Sequence, residues 1–114
     1  MTYKELNTFI AGFGLPYAYN EFPDDTPQTP PFICFMFASS NDFVADGTNY
    51  AKIRPLTIEL YTAEKDFELE DTVEARLNAG GFVYSRDETY LEDERMNMVV
   101  YSTEIVITEE NNNG

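Results

Sequence analysis

Any chemistry in this chain would have to come from carboxylates, because the other reactive groups are nearly absent. Its 114 residues include 21 Asp and Glu, one cysteine and no histidine. Without an imidazole, neither a serine nor a cysteine nucleophile has its usual base. Zinc meets the same difficulty, since one Cys and no His leave only carboxylates as ligands. Cys34 lies in the middle of an apolar run, where burial raises a thiol's pKa and quiets it. Acid–base work needs two acids in environments that pull their pKa values apart. Glu92, Asp93 and Glu94 stand together in a turn-like stretch with no apolar pocket suggested around them. Asn41, Asp42, Asp46 and Asn49 offer oxygens to calcium, yet no Glu stands where an EF-hand loop closes, and turn chemistry accounts for them. Gly12, Gly14 and Gly80-Gly81 close helices; none opens a helix after a strand, as a phosphate loop must. The sequence therefore predicts no enzyme: no catalytic residue, no cofactor site and no metal site.

Charge narrows the partners. The formal net charge is -14, and the seven bases (Lys4, Lys52, Arg54, Lys65, Arg76, Arg86 and Arg95) are scattered. Binding a phosphate backbone needs clustered cations, so sequence-specific nucleic-acid binding is not expected. Phe32, Phe35 and Phe37 lack the neighbouring cations that base stacking usually has. An anionic membrane surface is disfavoured for the same reason. No apolar run approaches the roughly 20 residues of a membrane helix, and the polar start shows no signal peptide. A single cysteine fits a reducing cytoplasm.

The elements that must carry these residues are legible from period and punctuation. Thr2 and Glu5 have capping-box spacing, and Leu6, Phe9, Ile10 and Phe13 form one helical stripe that Gly14 and Pro16 end. A short strand is expected within 15–22, then a proline-rich loop from Pro23 to Pro31. Phe32 to Ala38 is seven apolar residues in a row, the pattern of a strand buried on both faces. One face is expected on the core, the other under a helix or a second subunit. Asn41 to Tyr50 reads as a hairpin tip, and Ile53 to Thr62 as its half-buried partner, with Pro55 at an edge or near the strand's start. Asp66 caps a second helix striped by Leu69, Val73 and Leu77, with Glu70 to Glu74 on its wet side. Phe82 to Tyr90 and Met96 to Ile107 are strands joined by an acidic turn. The predicted fold is α+β, a mainly antiparallel sheet with two helices packed on it. It forms one domain over 1–108, with 109–114 a disordered tail.

The order of these segments resembles the tail-completion proteins of siphophages and Gram-positive prophages, the group that includes tail terminators. The likeness lies in Thr29-Pro-Pro-Phe-Ile-Cys-Phe-Met-Phe, in Ser40 to Tyr50 leading into Ile-Arg-Pro-Leu-Thr-Ile-Glu-Leu-Tyr-Thr62, in Asp66 to Glu74, and in the acidic Glu88 to Glu94. It spans roughly residues 2–107. The resemblance implies a virion structural protein that closes into a ring, commonly a hexamer, on the head-proximal end of the tail tube. Its partners would be its own copies, the tube and the head connector. Its place would be the host bacterial cytoplasm during assembly and the neck of the virion afterwards.

A ring of identical subunits needs two different patches on each copy. Ile33, Phe35, Phe37, Phe43, Val44 and Tyr50 are the expected subunit interface, because that stretch holds more apolar surface than one small domain hides. Glu92, Asp93 and Glu94 are the expected acidic lumen, repelling DNA from the wall. The alternative is an acidic DNA-mimic inhibitor that occupies the basic cleft of a host protein.

Overall fold

Helix α1 (Tyr3–Ala11) begins at the capping box. The Glu5 N–H donates to the Thr2 hydroxyl at 3.1 Å, and the Thr2 N–H donates to Glu5 Oε1 at 2.8 Å. That second bond, then the Thr2 hydroxyl beside the carboxyl, holds Glu5 below its ordinary pKa. Gly12 caps the other end, and Gly14 follows at φ +75°, a conformation that L side chains resist. The computed structural model describes residues 1–23, 28–38 and 51–108.

Next come β1 (Tyr17–Tyr19), β2 (Phe32–Phe37), β3 (Ala51–Thr62), α2 (Phe67–Ala79), β4 (Tyr84–Leu91) and β5 (Met96–Thr108). The strands form one sheet in the order β1-β2-β3-β5-β4. All neighbours pair antiparallel except β1 and β2, which run parallel. The α+β expectation holds, with that one parallel pair added. Parallel pairing requires a crossover, and the segment between β1 and β2 supplies it. Pro55 sits where β3 passes the end of β2, whose last partner is Leu56, so its missing N–H breaks no bond between those strands.

Both helices lie on the same face of the sheet. The core joins Leu6 and Ile10 of α1, Val73 and Leu77 of α2, and one alternate set of strand residues: Ile33, Phe35, Leu56, Ile58, Leu60, Val99, Tyr101, Ile105 and Ile107. Each buried aliphatic or aromatic side chain here contributes about 1.5–3 kcal/mol relative to exposure. Asp66 caps α2 as expected, accepting from the Leu69 N–H at 3.0 Å. Arg76 ties the helices together. Its guanidinium donates to the Phe9 carbonyl from Nη2 (2.8 Å) and Nε (3.2 Å) and lies 4.5 Å from the Phe9 ring centre.

The buried part of the apolar run, Phe32 to Phe35, finds cover within its own chain. Ile33 and Phe35 point to the helices, while Phe32 and Cys34 point to the other face and are still 7% and 4% exposed. No helix of the described residues covers that second face. Phe22, arriving from β1, stands edge-on to Phe32 at 5.4 Å, and Tyr61 of β3 stacks on Phe32 at 4.7 Å. The expected helix or second subunit over Phe32 and Cys34 is therefore replaced by a crossover segment and a cross-strand aromatic.

Candidate functional site

Two places bring polar side chains together. The first is between α2 and β4, where the sequence pattern puts Glu70 and Glu74 in water. Glu70 is only 2% exposed. Its Oε1 takes Lys65 Nζ at 2.7 Å and also Arg86 Nη2. Lys65 bonds Glu88 Oε1 at 2.5 Å, and Arg86 Nε reaches Glu74 Oε2 at 3.3 Å. The Tyr101 hydroxyl donates to the same Glu74 oxygen at 2.8 Å. Burial opposes the charge on Lys65 and Arg86, but their hydrogen-bonding neighbours outweigh it and hold both pKa values above ordinary. Lys65's hydrogen bond, more than any charge nearby, holds Glu88 below its ordinary value. Every carboxylate here has a cation beside it. The cluster is a clasp that fastens α2 to β4.

The second place is the helix-free face. At one end of it a cavity of about 290 Å³ is lined by Phe22, Phe32, Cys34, Tyr61, Glu21 and Glu94, with Asn20, Gln28, Leu91 and Met96 completing the wall. Phe32 pairs across the sheet with Tyr61, and Cys34 with Glu59. The Tyr61 hydroxyl donates to Glu59 Oε1 at 2.8 Å. Burial, followed by that bond to Glu59, raises the Tyr61 hydroxyl above its ordinary value. Burial first, then the Glu59 and Glu21 charges, push the Cys34 thiol up to about 11. The quiet thiol expected of Cys34 follows from these causes.

At the opposite end of the same face, Ile53 and Val106 are register partners on β3 and β5 and are 67% and 48% exposed. In an antiparallel sheet with one wet face, those alternate positions are normally polar. No helix of the described residues is long and apolar enough to cross a membrane.

The residues expected at a subunit interface are dispersed. Ile33 and Phe35, 0% and 7% exposed, belong to the domain's own core under the helices and offer no surface to a second copy. Period-two alternation is the physical reason, since it sends half of an apolar strand inward. Phe37 is half-buried near the strand end, beside Tyr3 and Tyr19. Phe43, Val44 and Tyr50 lie outside the described residues, as do Asn41, Asp42, Asp46, Asn49 and the 109–114 tail. Glu92, Asp93 and Glu94 are exposed in the turn between β4 and β5, and Glu94 also reaches the cavity wall. Among the described residues no group of His, Cys, Asp and Glu could hold a metal ion.

Sequence reasoning missed Glu70, Glu74, Ile53, Val106 and the cavity. Ile53 had a signal, being the next odd position before Pro55, Thr57 and Glu59 on the face opposite Leu56 and Ile58. Neither a protein-family model nor a curated protein matches this sequence.

Proposed function

We propose that this protein is a phage structural subunit of the tail-completion kind, acting by closing into a ring of identical copies rather than by catalysis. One observation carries the reading: the helix-free sheet face ends in the exposed neighbours Ile53 and Val106. Apolar side chains side by side on an uncovered face mark a surface that meets protein. The segment order described above supports the phage setting. The proposed interface thus moves from Ile33 and Phe35 on β2 to the opposite face of the sheet, on β3 and β5. Glu92 and Asp93 remain the acids proposed for the lumen. Glu70, Glu74 and Glu88 are engaged with Lys65 and Arg86, which leaves fewer acids to imitate a run of phosphates and disfavours the inhibitor reading.

Sedimentation velocity over rising protein and salt concentration tests ring closure, since salt screens the mutual repulsion of so acidic a chain. A discrete oligomer that Ile53→Glu with Val106→Glu reduces to folded monomer is expected. A monomer under every condition, unchanged by those substitutions, rejects it. Phage assembled without the protein should show overlong tails or tails detached from heads, and normal virions reject the phage role. Charge-reversed Glu92→Lys with Asp93→Lys should impair DNA passage while the ring persists.

A further inference from the structure

We propose that the cavity on the helix-free face is a receptor for one arginine side chain presented by a protein partner. The inference shares its sheet face with the proposed ring contact, and its test reads the cavity and not the oligomer. Its lining is aromatic: Phe32 and Tyr61, stacked on each other at 4.7 Å, form one side, and Phe22 meets Phe32 at 85° to make a corner. At about 290 Å³ the space is at the small end of ligand pockets, suited to one long side chain.

Charge selects the ligand. Glu21 and Glu94 line the cavity, and Glu59 sits beside its floor, bonded to Tyr61. Among the described residues no Lys or Arg lines it, and none of these three carboxylates is in an ion pair. Their field reaches the floor, where Glu59 and Glu21 act on Cys34, and Glu59 and Glu94 act on Tyr61. An anion would be repelled here. A neutral apolar group would strip water from the acids without replacing their hydrogen bonds. A cation gains both from the aromatic faces and from the carboxylates.

Of the cations, guanidinium fits best. It is planar, stacks on rings and bonds carboxylates through two parallel N–H groups, whereas an ammonium is a compact, strongly hydrated point charge. The chain uses the same chemistry internally, with Arg76 over Phe9 and Arg54 5.9 Å from the centre of Phe37. The cavity opens on the face that also carries Ile53 and Val106, so the arginine arrives on a protein surface laid against that face.

Cys34, the single thiol, is a built-in reporter on the floor. The test compares its modification by methanethiosulfonates bearing trimethylammonium or sulfonate, in about 0.5 M NaCl, where screening acts within roughly 4 Å. The cationic reagent should react about tenfold faster. Glu21→Gln with Glu94→Gln should remove most of that preference, and the distant Glu104→Gln should not. The peptide Ac-Gly-Arg-Gly-NH2 should slow modification, and its citrulline counterpart should not. Equal reagent rates, an equal effect of Glu104→Gln, or protection by spermidine but not by the arginine peptide would each overturn the proposal. If no reagent reaches the thiol, the same peptides are titrated against the ring NMR signals of Phe22, Phe32 and Tyr61. Shifts with arginine alone support the assignment, and their absence refutes it.

Discussion

The Tyr101 hydroxyl on β5 donates to Glu74 Oε2 on α2 across 2.8 Å, a polar bond that joins the middle of the sheet to the second helix. Tyr101 is fully buried, and its ring meets Tyr84 edge-on at 5.4 Å. Tyr101→Phe keeps that packing and removes only the bond. We expect a loss of about 1–2 kcal/mol, seen as a lower urea midpoint with an unchanged slope.

Glu70 is the hub of the clasp, so its loss should cost more. Removing one partner of a fully buried pair costs about 3–5 kcal/mol. Lys65 and Arg86 keep side-chain exposures of 28% and 35%, which lets water screen them. Glu70→Ala should therefore destabilise by about 2–3 kcal/mol, below the fully buried range. Lys65→Met should cost about 1 kcal/mol or less, because Arg86 still pairs with Glu70 Oε1. Thermal unfolding of the two variants side by side checks the order.

Stability should fall at high pH. Tyr61 and Tyr101 both have pKa values raised above the ordinary 10. Burial is the main cause in each, followed by the hydroxyl's bond to Glu59 or to Glu74. A raised folded pKa means the native state holds its proton more tightly, so this stability is full below pH 10 and drains as pH climbs toward the folded values. Absorbance at the tyrosinate band should show Tyr61 and Tyr101 resisting ionisation until the chain unfolds, a fraction that Tyr61→Phe and Tyr101→Phe remove. Glu88 has the opposite sign: its pKa is lowered, so its contribution is present above about 4.5 and is lost as pH falls through the lower folded value.

Two isoleucines on one strand should behave in opposite ways. Ile58 is fully buried and Ile53 is 67% exposed. Ile58→Ala should cost about 2–5 kcal/mol. Ile53→Thr should stay within about 0.5 kcal/mol. Chemical denaturation of both variants at low protein concentration, where copies do not meet, separates the folding role of the strand from its role at the surface.

Much of the frame was readable from local signals. Thr2 with Glu5, and Asp66 before Leu69, cap helices by contacts three residues apart, so spacing alone reveals them. Leu56, Ile58 and Leu60 betray their face by alternation. What stayed hidden depends on distant partners. Glu70 looks wet on a helical wheel because its cations lie five residues before it and sixteen after it. β2 looks unsheltered because its cover, Phe22 and Tyr61, comes from other segments. Phe82 reads as the first residue of a strand, yet it precedes β4 and packs on Phe9 at 4.8 Å in the turn after α2. The parallel pairing of β1 with β2 has no signature in three residues.

The outer border of the sheet on one side is β4, and its sequence, Tyr-Ser-Arg-Asp-Glu-Thr-Tyr-Leu, places three consecutive charges at mid-strand. A foreign strand laid alongside would have to desolvate or oppose those charges. Growth of the sheet into fibrils is thereby blocked on that side even in a crowded cell. Thioflavin fluorescence of concentrated protein should stay flat, and Ser85→Val with Asp87→Thr, which leaves the clasp intact, should be the change that releases it.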